Sequence, residues 1–411
     1  MYTEFPFLSA EYAAHPQPFW EKLRDSDPVH YAKDYGFWVI SRHRDILEML
    51  KDPHTYSSAG GPGGGLTAGN DGAPEKDNGG IGFLPMIQND PPEHTRVRSI
   101  FANAFTPKRI AEMEPTVVAI ANNLLAEIHE KIRDGRDLDL VDDFASPLPV
   151  YVIAQMMGIP LSERHKLRMW SDSLAIGADE AYTLEQKLGS RKQMTATLSA
   201  IISKARDKPQ GDTLISAMLN ASEKGENLHP GEILGLSKLL WLAGNETTTN
   251  LISNGTVFLL NNTEVLEELR RDKKLIPEFV EEMLRFNGPV MGLFRNATRD
   301  VEFRGKAIRK GDTLWLLFSS GNLDSRAYDA PERFDLHRRN RNHLALGKGV
   351  HFCMGSALAR LEARVAFETI VDLIPYMKLS FENGKRIPVP VLSGWIKLPM
   401  SISRNAIEGA P

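Results

Sequence analysis

The residue best suited to chemistry is Cys353, the one cysteine in the chain. It lies in Gly347-Lys-Gly-Val-His-Phe-Cys-Met-Gly355, where Gly347, Gly349, His351, Cys353 and Gly355 fall on alternate positions. Such glycines let a backbone crowd against something bulky. Beyond the loop, Leu358, Leu361 and Val365 recur at helical spacing, so the cysteine stands at the mouth of an amphipathic helix. Free N–H groups and the dipole at that mouth favour a thiolate, which is a metal ligand. The competing reading is a cysteine packed as a small hydrophobe.

Three other constellations invite chemistry. His94 and Arg98 are spaced i, i+4 after Asp90-Pro-Pro, so one helical face carries two donors able to grip a pair of carboxylates. A solvated face is the ordinary alternative. In Leu239-Leu-Trp-Leu-Ala-Gly-Asn-Glu-Thr-Thr-Thr-Asn250 an apolar run meets Gly244 and then turns polar. Glycine and threonine inside a helix cost stability, and threonine hydroxyls bond back to carbonyls. Glu246 and Thr247 diverge by about 100° around the axis; a simple surface stripe is the ordinary alternative. Glu282 and Arg285 form an i, i+3 pair on a helix that breaks before Pro289; most such pairs are weak surface contacts.

The Gly-x-Gly-x-His-x-Cys-x-Gly loop running into a helix resembles the haem-binding loop of the cytochrome P-450 family. The His-x-x-x-Arg, Ala-Gly-x-Glu-Thr-Thr and Glu-x-x-Arg stretches resemble that family's other motifs, in the same order. The resemblance implies a mainly α fold with a smaller β-rich lobe, with haem b between the oxygen-activation helix and the cysteine-loop helix. Cys353 is then the axial thiolate ligand. His94, Arg98, Arg295 and His351 meet the haem propionates, and Ala243, Leu346, Gly347 and Gly355 lie against the cofactor. Gly244 leaves room for dioxygen beside an opened helical turn, Thr247 donates to its distal oxygen, and Glu246 passes protons inward. Glu282, Arg285 and Arg338 (with Arg333 the rival for the third place) form a structural ion network. Met86, Ala243, Val290, Leu293 and Phe294 border the substrate. One departure is Leu346, where the family usually has a phenylalanine packed against the thiolate loop; it bears on the redox potential of the haem.

The activity so implied is oxygen insertion from dioxygen into a hydrophobic small organic substrate. Electrons come from NAD(P)H through a separate ferredoxin or flavodoxin and its reductase, since a single cysteine cannot hold an iron–sulfur cluster. Lys348, Arg360, Arg364 and the Arg338, Arg339, Arg341 group are the basic residues from which a dock for that acidic carrier would be drawn. A peroxide-driven haem-thiolate enzyme would replace the acid–threonine pair, which this chain keeps. A haem sensor or hydrophobic-ligand carrier would have no use for that pair.

Positioning these groups takes many helices. The spacing predicts helices over Arg44–Lys51, Met113–Ile132 and Leu184–Ala205 and one opened by Pro230, with strands at Phe37–Ile40, within Glu302–Leu317 and over Val389–Ser403, the last as a pocket-side hairpin. Ala59 to Phe83 holds ten glycines and reads as a flexible lid. At 411 residues, 42% hydrophobic and 25% charged, the chain can bury a large core, read here as a single domain over 1–411 acting as a monomer. A net charge of −4 argues against nucleic-acid and anionic-membrane binding, and the lone cysteine fits a reducing, cytoplasmic setting. No stretch reaches the length of a membrane span.

Overall fold

The computed structural model describes residues 15–59, 85–102, 105–174, 183–207, 213–223, 230–380, 383–389 and 391–403, together with Tyr12 and Leu228. The stretch read as a lid, 59–83, lies outside the described residues except for Ala59. In chain order the helices are α1 (Gln17–Ser26), α2 (His43–Leu50), α3 (Glu93–Ala102), α4 (Pro107–Glu112), α5 (Glu114–Arg133), α6 (Pro147–Met157), α7 (Arg164–Leu174), α8 (Leu184–Asp207), α9 (Leu214–Glu223), α10 (Pro230–Asn261), α11 (Thr263–Arg271), α12 (Ile276–Asn287), α13 (Phe318–Asn322) and α14 (Ser356–Ile370). The strands are β1 (Val29–Ala32), β2 (Phe37–Ile40), β3 (Tyr56–Ser57), β4 (Leu138–Asp139), β5 (Leu293–Ala297), β6 (Val301–Phe303), β7 (Lys306–Ile308), β8 (Thr313–Leu316), β9 (Met377–Leu379), β10 (Lys385–Arg386), β11 (Trp395–Lys397) and β12 (Pro399–Ile402). Helices dominate, and the strands gather into a smaller lobe.

The 32-residue helix α10 packs against α6, α8, α12 and α14. Its length follows from composition: apolar residues on every side bury it all round, so packing outweighs the poor helix propensity of its glycines and threonines. Helix α14 turns Leu358, Leu361, Val365 and Phe367 into the same core. The main sheet has the order β1-β2-β8-β5-β3, with β2 and β8 parallel and the other neighbours antiparallel. In β5 the period-2 alternation decides which side chain faces where. Leu293 and Arg295 point to one side, and Phe294 goes to the other, edge-on to Phe37 and stacked on Trp315.

A buried ion network ties α12 to the segment that leads to the cysteine. Arg285 (1% side-chain exposure) lies 2.6 Å from Glu282 (4%), and Arg338 Nε donates to the same carboxylate at 3.0 Å. Arg285 also donates to the carbonyls of Asn322, Pro331 and Arg333, and Arg338 to those of Asp329, Ala330 and Arg333. Arg333 therefore enters through its carbonyl, and Arg338 is the second cation. Asn322 Oδ1 in turn accepts from Leu344 N–H at 2.7 Å, which carries the restraint to within a few residues of the cysteine loop. Removing one partner leaves a buried charge uncompensated. Glu282→Ala is accordingly expected to lose about 3–5 kcal/mol in urea unfolding. A loss below about 1 kcal/mol would make this an ordinary surface-strength pair.

Candidate active site

One connected void of about 1680 Å³, its open mouth included, lies between α10 and α14 and reaches α3, β5 and the cysteine loop. Cys353 sits in its floor. Its N–H donates to Leu346 O at 2.8 Å, and the sulfur accepts from the Gly355 N–H. Gly349 is held at φ +70, and a Cβ there would sit 2.3 Å from the carbonyl oxygen of Leu50, so only glycine lets the loop lie against the end of α2. Gly347 shares the left-handed conformation, whereas Gly355 has an ordinary φ of −75 and open space where a side chain would stand. Helix α14 begins at Ser356, after the cysteine. Burial pushes the Cys353 thiol up, opposed by the Gly355 N–H and by the charges of Arg98 and Arg360. Burial is the largest of these influences among protein groups. A coordinated metal cation reverses that balance and deprotonates the thiol.

Four basic side chains, His94, Arg98, Arg295 and His351, border the void on one side. The His94 and His351 rings lie 4.3 Å apart between centroids. Both ring nitrogens of His94, and Nε2 of His351, are buried and make no hydrogen bond among the described residues. Arg98 Nη2 donates to Phe352 O at 2.7 Å, and the 5%-exposed Arg295 donates through Nη1 to Phe294 O at 2.7 Å. Burial, then the neighbouring charges of Arg295, His94 and Arg98, brings His351 down to about 3. Burial likewise lowers His94, Arg98 and Arg295, the last to about 10, with Asp90 opposing. These shifts have one cause. Buried cationic groups converge where protein anions are scarce, so a ligand carrying carboxylates completes them. Orphaned donors, a sulfur facing the void and a glycine open to it together fit a haem with its two propionates.

Helix α10 forms the roof with Ala243, Gly244, Thr247 and Thr248. The turn at Gly244 is not opened, as the helix runs unbroken through it. A Cβ on Gly244 would lie 2.2 Å from Cδ1 of Ile153, so a side chain here would displace the end of that isoleucine on α6. Thr247 Oγ1 donates to Ala243 O at 2.8 Å. Glu246 is half-buried and does not border the void. Met86, Val290, Leu293 and Leu346 do border it. Phe294 does not. The strand alternation sends it into the core against Phe37 and Trp315, which corrects its assignment as a substrate contact. Nor do the described residues of the hairpin formed by β10 and β11 line the void; Leu392 bridges to Val290 and supports the wall from behind.

Glu362, which the sequence reading passed over, also borders the void. It is 1% exposed, Oε1 has no partner, and Thr248 is its hydrogen-bonding neighbour. Burial pushes its carboxyl up to about 8. The available signal was an acid on the apolar stripe of α14, i+4 from Leu358.

A family model described as Cytochrome P450 matches residues 181–373. A putative cytochrome P450, YjiB, from Bacillus subtilis (strain 168) is 36% identical over 89% of this chain and 89% of its own. The cytochrome P450 monooxygenase PikC of Streptomyces venezuelae is 33% identical over 98% and 94%. Among solved structures, that of CYP109E1 from Bacillus megaterium in complex with testosterone superposes with a TM-score of 0.81 at 32% identity, covering 95% of this chain and 99% of that one. The fold and the family together define an oxidoreductase of the monooxygenase class that works through haem on a cysteine thiolate. The chain belongs to the cytochrome P450 family.

The raised carboxyl of Glu362 has a consequence for stability. An unfolded chain ionises this group near its ordinary value of 4.5, while the folded protein keeps its proton until about pH 8. The native state binds more protons over that interval, so stability should fall as pH rises from about 4.5 to about 8. Urea midpoints at pH 5 and pH 8 should draw together in Glu362→Gln; an unchanged interval would mean that the carboxyl is ionised when folded.

Proposed function

We propose that this protein inserts one oxygen atom of dioxygen into a hydrophobic small organic molecule, by hydroxylation or epoxidation. The apolar wall facing Cys353, from Met86, Ile87, Ala243, Val290 and Leu293, carries this reading. The steroid named with the similar CYP109E1 structure supports a substrate of comparable size and polarity.

In this reading the Cys353 thiolate would hold the iron of haem b, which would supply dioxygen binding and oxidising power when bound. His94, Arg98, Arg295 and His351 hold the propionates, replacing orphaned donors with charge-assisted hydrogen bonds. Ala243, Leu346, Gly347 and Gly355, which line the void, would lie against the cofactor. Thr247 gives up its bond to Ala243 O and presents its hydroxyl proton to the oxygen site beside Gly244. Glu246, half-buried on α10 next to Thr247 and outside the void's lining, takes protons from solvent and resupplies Thr247. The stoichiometry is one substrate, one dioxygen, two electrons and two protons to one oxygenated product and one water. The apolar lining excludes other water and orients the reacting bond.

NAD(P)H is the electron source, through a reductase and an acidic ferredoxin or flavodoxin. Much of the basic group read as its dock is already satisfied. Arg360 pairs with Glu281, Arg364 with Glu114 and Glu368, Arg341 with Glu278, and Arg338 lies in the ion network. Lys348 and Arg339 have no acidic partner within 4 Å among the described residues, so they are the better candidates. We place the protein in the cytoplasm as a single-domain monomer; no helix among the described residues is long and apolar enough to cross a membrane.

The decisive experiment is the absorption spectrum of the reduced protein under carbon monoxide, beside Cys353→Ala. A strongly red-shifted Soret band that the variant loses is expected, with hydrophobic ligands perturbing the ferric spectrum and Thr247→Ala forming product about a hundredfold more slowly. A histidine-type spectrum, or a variant that keeps the band, would sink the assignment. For the dock, Lys348→Glu with Arg339→Glu should slow reduction by the carrier and flatten its salt dependence. Unchanged rates would move the dock elsewhere.

A further inference from the structure

Asp90 opens the segment that carries His94 and Arg98, and it holds two parts of the fold together. Its Oδ1 accepts from Ser58 N–H at 2.9 Å, and its Oδ2 accepts from the Ser57 hydroxyl. Its own carbonyl accepts from His94 N–H at 2.9 Å, in the first turn of α3. Ser57 pairs in register with Asn296 on β5, next to Arg295, and Asn296 Nδ2 donates to Ala59 O at 3.2 Å. Asp90 thus locks the end of β3, the strand bearing Arg295 and the start of α3 into one arrangement. It is also the acid whose charge acts on both Arg295 and His94.

A buried guanidinium needs a nearby anion, because low dielectric makes an uncompensated charge costly. Among the described residues Arg295 has one side-chain hydrogen bond, to the carbonyl of Phe294, and no ion pair within 4 Å. Asp90, joined through Ser57 to the strand that bears Arg295, is the acid whose charge acts on it. An anion placed there also opposes the two propionates across the same cationic cluster.

We propose that Asp90 is a positioning residue for the cofactor site, supplying the counter-charge of Arg295 and anchoring the strand beside it, so that its charge helps set the reduction potential of the bound haem. The inference rests on the propionates lying at the His94, Arg98, Arg295 and His351 cluster. It concerns the charge of Asp90 separately from its hydrogen bonds, and the two can be parted. In Asp90→Asn the amide oxygen still accepts from Ser58 N–H and the amide nitrogen can donate to Ser57, while the charge is gone. Ser57→Ala does the reverse.

The test is a potentiometric titration of the holoenzyme for wild type, Asp90→Asn, Asp90→Ala and Ser57→Ala, with the rate of haem transfer to apomyoglobin read alongside. Asp90→Asn should shift the ferric–ferrous potential in the positive direction, because removing an anion favours the more negative ferrous site. Ser57→Ala should keep the wild-type potential, and Asp90→Ala should shift it and also release haem several-fold faster. A wild-type potential in Asp90→Asn overturns the proposal, whether or not Asp90→Ala is altered. So does a shift in Ser57→Ala equal to that in Asp90→Asn. Wild-type protein lacking the thiolate carbon monoxide band would instead overturn the haem reading beneath it.

Discussion

The structure depends on one electrostatic constraint, which is that charged groups are buried around a cavity where the protein supplies few partners. Arg295 is almost fully enclosed, His94 has two buried ring nitrogens without partners among the described residues, and His351 is brought down to about 3 by burial and its cationic neighbours. Cys353 adds a sulfur whose ionisation burial opposes. Each arrangement is unfavourable among protein atoms alone and becomes favourable around a ligand that is anionic at its edge and cationic at its centre. Haem on a thiolate satisfies both demands together. Stability and cofactor binding are therefore linked in this family member, since a ligand that binds only the folded state stabilises it.

Holding unfavourable charges in place needs a rigid surround, and the chain provides it by two means. One is the network of Glu282, Arg285 and Arg338, which fixes a run of loop carbonyls ahead of the cysteine. The other is close packing at glycines. Gly349 lets the cysteine loop lie on the α2 backbone, and at Gly244 the end of the Ile153 side chain on α6 takes the space a Cβ would fill. The second contact gives Gly244 a packing role besides any part it takes with oxygen. A substitution there acts on the helix pair as well as on the cavity.

Much of this was legible from residue types. The glycine–histidine–cysteine alternation, the i, i+4 pair His94 and Arg98, and the amphipathic stripe of α14 are local patterns, and the structure brings the residues of the first two together around one void. The misreadings came from where a side chain points. Phe294 and Leu293 are neighbours in an apolar stretch, and nothing in that stretch says which one the sheet sends to the cavity. The period-2 geometry of β5 decided it. Glu362 drew no reading from the sequence, yet the fold buries it beside Thr248 of α10. Asp90 looked like a residue opening a helix, and its bonds to Ser57 and Ser58 span more than thirty positions of chain.

By itself, then, the sequence determined the family, the mainly helical fold and the identity of the sulfur, because each is written in short-range patterns whose spacing carries the chemistry. It determined also that one cysteine leaves no internal iron–sulfur cluster. The tertiary structure alone decided the charge state of the groups it buries, such as Glu362 held up to about 8. It also decided which of two adjacent apolar residues meets the cavity, and which arginines of a basic run are already paired. Those outcomes depend on desolvation and on charges brought close from distant parts of the chain. No local pattern encodes either, so they exist only once the fold has set the distances.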